Sequence, residues 1–255
     1  VGGFDGTSNA LAGMLFGMKV GGTHAHSFVQ SFSSIADLPT REIELPGGGT
    51  ADIVEIVLSY RQKLNWTHTN TGELVAFIAY CQAFPSAFLA LVDTYDTLVS
   101  GIPNFILCAL AMYQLGYKPL GIRLDSGDLA YLSQEARKMF RAVQEKFSIP
   151  GMANALKIVA SNDIGEETLY SLNQQGHSID TFGIGTNLVT CQDQPALGCV
   201  FKLVEFDSNP RIKLSQEVKK VSIPGKKVLF RLLGRAGFPL VDLMMLDSEV
   251  ATHGE

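Results

Sequence analysis

The chain has 255 residues, 46% of them hydrophobic and 18% charged, with 20 basic side chains against 25 acidic ones and a formal net charge of −5. The apolar fraction excludes a disordered chain, and the mild acidity argues against a nucleic-acid partner, which calls for a basic surplus. No apolar run approaches the roughly 20 residues that span a bilayer, so no membrane partner is expected; the length suits one large core, or a core with an appended piece.

From the N-terminus, the strand-like Met18-Lys19-Val20-Gly21-Gly22 leads into Thr23-His24-Ala25-His26-Ser27. Residues 37–72, with the Pro- and Gly-rich ADLPTREIELPGGGT, read as an excursion. Residues 87–92 read as a strand ending in Asp93-Thr94-Tyr95-Asp96, followed by an apolar helix over 102–115. A second strand over 118–124 ends in Asp125-Ser126-Gly127-Asp128. Leu129, Leu132, Ala136, Met139, Phe140, Val143 and Phe147 then recur at steps of three and four, which predicts a helix with one buried stripe. Ser126 or Asp128 can cap its start, and Pro150-Gly151 closes the unit.

Residues 157–160 form a third strand candidate, ending in Ser161-Asn162-Asp163, with a short helix through Leu169 and Leu172 stopped at Gly176. A fourth, over 179–182, runs into Gly183-Ile184-Gly185-Thr186-Asn187. Strand tips at 24, 93, 125, 161 and 184 are 69, 32, 36 and 23 residues apart, and the last three gaps suit βα units of about 30 residues. Parallel strands with helical crossovers predict an α/β fold, either a barrel or a doubly wound sheet.

Composition shifts near residue 200. Residues 1–200 hold 11 basic and 18 acidic side chains, residues 201–255 nine and seven. The later stretch alternates, as in KVLFRLL, like exposed antiparallel strands. The expected division is a catalytic α/β region over 1–200, including the excursion, and a β-rich segment over 201–255 leading into a second domain. Cys81, Cys108, Cys191 and Cys199 show no C-x-x-C pair and lie among apolar neighbours, as reduced structural thiols of a cytoplasmic protein would. The N-terminus lacks the pattern of a signal peptide, so Asn65-Trp66-Thr67 reads as a chance match to the glycosylation pattern.

The polar residues collect at the strand tips, and in a β/α barrel all such tips open on one face. The glycines of GIGTN let backbone N–H groups approach a phosphate, although the same sequence also makes a plain turn. Asp93, Asp96, Asp125 and Asp128 suit a Mg²⁺–phosphate substrate or sugar hydroxyls. Arg123 shares strand parity with Asp125; it either grips a carboxylate or phosphate, or simply pairs with Asp125. His24 and His26 could serve as acid/base, nucleophile or metal ligands, but no third zinc ligand stands out.

GTSNALAG, GTHAHSFV, FPSAFLALVDTYDT, GIRLDSGDL, IVASNDI, FGIGTNLVT and QPALGCVFKLV, in this order over nearly the whole chain, resemble the nicotinate phosphoribosyltransferase family. RLDSGDL and GIGTNLVTC are the most specific. The resemblance implies an irregular (β/α) barrel of the type II phosphoribosyltransferase kind, with a second domain built from both chain ends. It implies transfer of phosphoribosyl from 5-phosphoribosyl 1-diphosphate to nicotinate in NAD salvage. ATP would be co-substrate, Mg²⁺ cofactor, and the assembly a cytoplasmic homodimer with shared active sites. His26 would be the phosphorylated, catalytic histidine and Asp125 the catalytic group at the ribose hydroxyls. Nicotinate would meet Thr23 and Arg123, and the Mg²⁺–diphosphate Asp93. Ser126 and Gly127 would touch substrate beside them, with Asn162, Asp163, Gly185 and Thr186 at the phosphoribosyl phosphate. His24 falls where the family motif varies and receives no role.

The family's chains are longer, so the sequence reads as a central portion, without the N-terminal segment that supplies an aromatic residue to the partner's nicotinate site. Two competing expectations are a nicotinamide or quinolinate phosphoribosyltransferase, and a truncated, non-catalytic fragment that binds a ligand or partner. Quinolinate needs more positive charge than Arg123, the only cation at the tips, supplies.

Overall fold

Short, well-capped elements carry the chain into its core. The computed structural model describes residues 2–190, 200–214 and 221–250, and its backbone divides between Ala196 and Leu197 into two units. Helix α1 (Ala10–Phe16) is capped by Asn9, whose side chain accepts from Ala12 N at 2.9 Å. Residues 18–22, expected as a strand, make only one bridge, Val20 to Thr7. Gly21 and Gly22 bring no side chains to pack and weaken a strand there. The chain runs instead into α2 (His26–Gln30).

β1 (Glu42–Glu44) and β2 (Thr50–Asp52) form an antiparallel hairpin. Asp52 caps α3 (Ile53–Leu64) by accepting from Glu55 N at 2.8 Å, and Asn70 caps α4 (Thr71–Ala83) by accepting from Glu73 N at 2.9 Å. The stretch 37–72 thus contains the hairpin and α3, whose Ile53, Val54 and Val57 are fully buried in the main core.

β3 (Leu89–Leu91), β4 (Gly121–Leu124), β5 (Lys157–Ala160) and β6 (Thr181–Phe182) form one parallel sheet in chain order. Helices fill the crossovers: α5 (Ile102–Gln114), α6 (Leu129–Phe147) with the short α7 (Met152–Ala155), and α8 (Glu166–Gln175). A sheet in sequential parallel order with a helix after each strand is the construction of a β/α barrel, and here four strands of that kind are described. Ala90, Ile122, Leu124, Ile158 and Ala160 share one face of the sheet and are fully buried, whereas Arg123 and Val159 on the other face are half-buried and Lys157 is exposed. α6 follows its expected stripe, and Asp128 is its cap, accepting from Tyr131 N at 3.0 Å. A four-residue turn, α9 (Thr186–Val189), follows β6.

The 18-residue stretch Thr97–Gln114 is long and apolar enough to cross a membrane by length and composition alone, but 72% of it is buried inside the fold. It comprises a wide π-type turn, Thr97–Gly101, and α5, which packs on α3 and α4 and is apolar all round for that reason. Gly101 is required by close approach: a Cβ there would lie 1.7 Å from Val92 O. The turn is thereby pressed against the end of β3. Gly121 is required twice over, by a φ of +146° and by Lys157 O, 1.9 Å from where its Cβ would be.

Hydrogen bonds run one residue past each strand: Val92 N to Arg123 O (3.2 Å), Ser161 N to Leu124 O (2.9 Å) and Gly183 N to Ala160 O (2.7 Å). The four tips therefore end level. Near the other end of the sheet, buried Arg137 of α6 donates to Asp180 at 2.7 Å and to the carbonyls of Leu156 and Ala153. Cys81 and Cys108 are buried thiols; Cys191 and Cys199 lie outside the described residues.

The second unit is β-rich. β7 (Glu205–Phe206) and β8 (Asn209–Pro210) turn through left-handed Asp207 and Ser208. β9 (Lys227–Leu233) and β10 (Pro239–Leu246) form a long antiparallel hairpin pinned by Arg231 and Asp242 at 2.7 Å, and α10 (Asp247–Val250) follows.

Candidate active site

The level tips of β3, β4 and β5, with the strap of residues 23–26, bring together side chains up to 138 positions apart in sequence, Thr23 to Ser161. Arg123 is the hub. Its Nε donates to Ser161 Oγ (2.8 Å), Nη1 to Thr23 Oγ1 (3.0 Å) and Nη2 to Asp125 Oδ1 (2.9 Å). Ser161 in turn donates to Asp125. His26 Nδ1 lies 3.1 Å from Thr94 Oγ1, and its Nε2 faces Asp125 Oδ2 at 3.8 Å. Buried Asp93, at the tip of β3, accepts from the Ser126 hydroxyl across to the tip of β4.

Thr23, His26, Asp93, Arg123, Asp125 and Ser126 thus form one constellation, as convergence of the tips predicts. The Arg123/Asp125 ion pair is real, and it uses only part of the guanidinium. Gly127 lies beside it with a φ of +77°, and Asn162 and Asp163, at φ +98° and +50°, form a left-handed corner. Gly127 and Asn162 line an open pocket of about 540 Å³ with Glu167, Thr168 and Ser171 of α8. Gly185 and Thr186 are exposed at the neighbouring tip of β6, where Thr186 opens α9.

Two partners escaped the sequence reading as functional side chains: Thr94, which orients His26, and Ser161, which ties Arg123 to Asp125. Each stands at a quoted tip, which is the only local signal for either.

Burial raises the Asp125 carboxyl, but the facing His26 imidazole, the hydrogen bond from Ser161 and the Arg123 guanidinium outweigh it and hold the group well below the usual carboxylate range. It is a fixed anion at the mouth. Behind the tip of β3, fully buried Glu73 accepts from Ser100 Oγ (2.5 Å) and Asn104 Nδ2 (3.0 Å), while its Oε1 has no partner among the described residues. Burial pushes its carboxyl up to about 7; Ser100 and Asn104 pull it down, and the charges of Asp93 and Asp96 push it further up. At the third position of a capped helix, Glu73 looks like an ordinary first-turn acid, so nothing in the sequence marks it.

Chemically, the mouth offers a fixed anion, an oriented imidazole, a planar cation and, at the tips of β3 and β4, an oxygen-only set of carboxylate and hydroxyl. Among the described residues, no three His, Cys, Asp or Glu side chains gather into a metal cage.

The model of the nicotinate phosphoribosyltransferase (NAPRTase) family matches residues 110–232. A nicotinate phosphoribosyltransferase of Dictyostelium discoideum is 54% identical over 254 residues, 100% of this chain and 43% of that protein. The Homo sapiens protein of that name is 45% identical over 258 residues, 98% of this chain and 48% of that protein. The chain therefore spans about half the length of the curated relatives it matches. The crystal structure of human nicotinic acid phosphoribosyltransferase superposes with a TM-score of 0.66 at 40% identity, covering 97% of this chain and 47% of that one. The Porphyromonas gingivalis nicotinate phosphoribosyltransferase structure, 21% identical with a TM-score of 0.56 over 86% of this chain and 48% of that one, shares the fold. By sequence and by fold, the chain belongs to the nicotinate phosphoribosyltransferase family.

Proposed function

We propose that the protein to which this chain belongs transfers phosphoribosyl from 5-phosphoribosyl 1-diphosphate to nicotinate, yielding nicotinate mononucleotide and diphosphate, coupled to ATP hydrolysis in NAD salvage. The observation that carries the substrate assignment is the state of Arg123. A guanidinium has five N–H donors, and three are taken by Ser161, Thr23 and Asp125. Among the described residues this leaves one N–H on each terminal nitrogen, donors of the kind that grip a carboxylate, and nicotinate carries one.

The site chemistry supports the same reading. Loss of diphosphate from C1 of ribose develops oxocarbenium character. A carboxylate held ionised favours that charge and accepts hydrogen bonds from ribose hydroxyls, and Asp125 is such a carboxylate. Asp93 and Ser126 fit Mg²⁺, which binds through one or two carboxylates together with substrate phosphates. When bound, the metal would neutralise the leaving diphosphate. The left-handed corner at Asn162 and Asp163 and the exposed Gly185 and Thr186 give the 5-phosphate a backbone-lined seat. Thr94 orients the His26 ring, whose other nitrogen faces Asp125; this is the arrangement of a nucleophile that accepts the γ-phosphoryl group of ATP.

The test is diphosphate release with nicotinate, nicotinamide and quinolinate as alternative acceptors. Nicotinate alone should turn over efficiently. Equal or better rates with nicotinamide, which has no carboxylate, would overturn the assignment, and failure with all three would favour a binding-only role.

A further inference from the structure

We infer that His24 is a positioning residue, pinning the strap of residues 23–26 to the edge of β3 and so setting where Thr23 and His26 stand. The inference deepens the transferase reading and rests on it for its kinetic part. Thr23 and His26 turn toward Arg123, Thr94 and Asp125. Between them, the His24 ring turns the other way, into a cage of Phe28, Phe77 and Tyr80 with ring centroids 5.3, 5.9 and 4.8 Å away.

The pin is a single hydrogen bond. β3 pairs with β4 on one side, where Val92 N donates to Arg123 O. Successive amides along a strand point to opposite sides, so Leu91 N points away from β4, and an unpaired buried amide is costly. His24 Nε2 accepts from Leu91 N at 3.2 Å, where the carbonyl of a further strand would otherwise stand. The acceptor nitrogen must be bare, which puts the ring proton on Nδ1, facing Ala25 O at 3.4 Å. A neutral ring agrees with its surroundings, since burial lowers its pKa to about 4. Phenylalanine would fill the cage and orphan the amide; glutamine would keep an acceptor and underfill the cage.

The experiment compares His24→Phe and His24→Gln with the parent in nicotinate transfer by the full-length protein. His24→Phe should raise the nicotinate KM on the order of tenfold and weaken ATP stimulation, because small displacements of positioned groups are costly. His24→Gln should recover part of both. A nicotinate KM and ATP stimulation within twofold of the parent in His24→Phe would overturn the inference.

Should His24→Phe fail to fold, nitrogen NMR of the parent and hydrogen exchange at Leu91 decide. A bare Nε2 with a protected Leu91 amide is the expected result; a protonated Nε2 or a freely exchanging amide overturns the pin. These measurements hold even if the parent proves inactive toward nicotinate, an outcome that would remove the transferase reading and leave the pin standing.

Discussion

Ser161 accepts from Arg123 Nε at 2.8 Å and turns its own hydrogen to Asp125, so one hydroxyl at the tip of β5 fixes both members of an ion pair at the tip of β4. The guanidinium cannot rotate without breaking bonds to three residues. A cation held this way meets its substrate already aimed.

Arg123→Lys keeps the charge and loses the fork, so the nicotinate KM should rise about tenfold or more with a smaller change in kcat. Arg123→Leu removes the charge as well and strips Asp125 of its cation, so kcat/KM should fall further than in Arg123→Lys. Steady-state kinetics with varied nicotinate separates the two variants. Unchanged nicotinate KM in Arg123→Lys would show that the fork binds nothing.

His26→Ala should abolish stimulation by ATP and slow the uncoupled reaction, since Thr94 and Asp125 each lose a neighbour. Labelled γ-phosphate should enter the parent as an acid-labile adduct and be absent from the variant. Full stimulation in the variant would remove His26 from the coupling step.

Two buried groups give opposing pH dependences. The Glu73 carboxyl, raised to about 7 from 4.5, keeps its proton in the folded state after the unfolded chain has lost it. Its contribution is complete below pH 4.5 and is lost as pH rises through 7. His24, lowered to about 4 from 6.5, stays neutral when folded while the unfolded chain takes up a proton, so stability is lost as pH falls from 6.5 to 4. Each effect is worth at most about 3 kcal/mol. The Tm of the parent minus that of Glu73→Gln should therefore shrink between pH 5 and pH 8; a constant difference would mean that Glu73 is not protonated in the fold.

Arg137→Leu should cost about 3–5 kcal/mol by denaturant titration, because Asp180 and the carbonyls of Leu156 and Ala153 lose a buried cation. None of these groups belongs to the tip constellation. Transfer per folded molecule should stay within twofold of the parent, and a larger fall would mean that strain at the other end of the sheet reaches the tips.

What the sequence made legible was local or periodic. The stripe through Leu129 and Phe140, with Asp128 before it, was enough to locate α6, and the apolar run ending at Asp125 located β4. Residues 18–22 misled because a strand-like start at Met18 to Val20 runs into two consecutive glycines that bring nothing to pack. The Arg123 hub could be expected from strand parity as far as Asp125, but Thr23 and Ser161 reach it only through the folded sheet. His24 and Glu73 were opaque for a related reason: the pin joins residues 67 positions apart, and the buried acid bonds to Ser100 and Asn104 on another segment.

The order of the strands bears on how such a site comes to exist at all. Each strand from β4 onward docks on one already synthesised, so the sheet can be laid down during translation without waiting for a distant partner. The strap bearing Thr23 and His26 leaves the ribosome before any of these strands and has somewhere to attach as soon as β3 emerges. Asn162 and Thr186 arrive last, on a scaffold whose anionic and cationic centres are already in place.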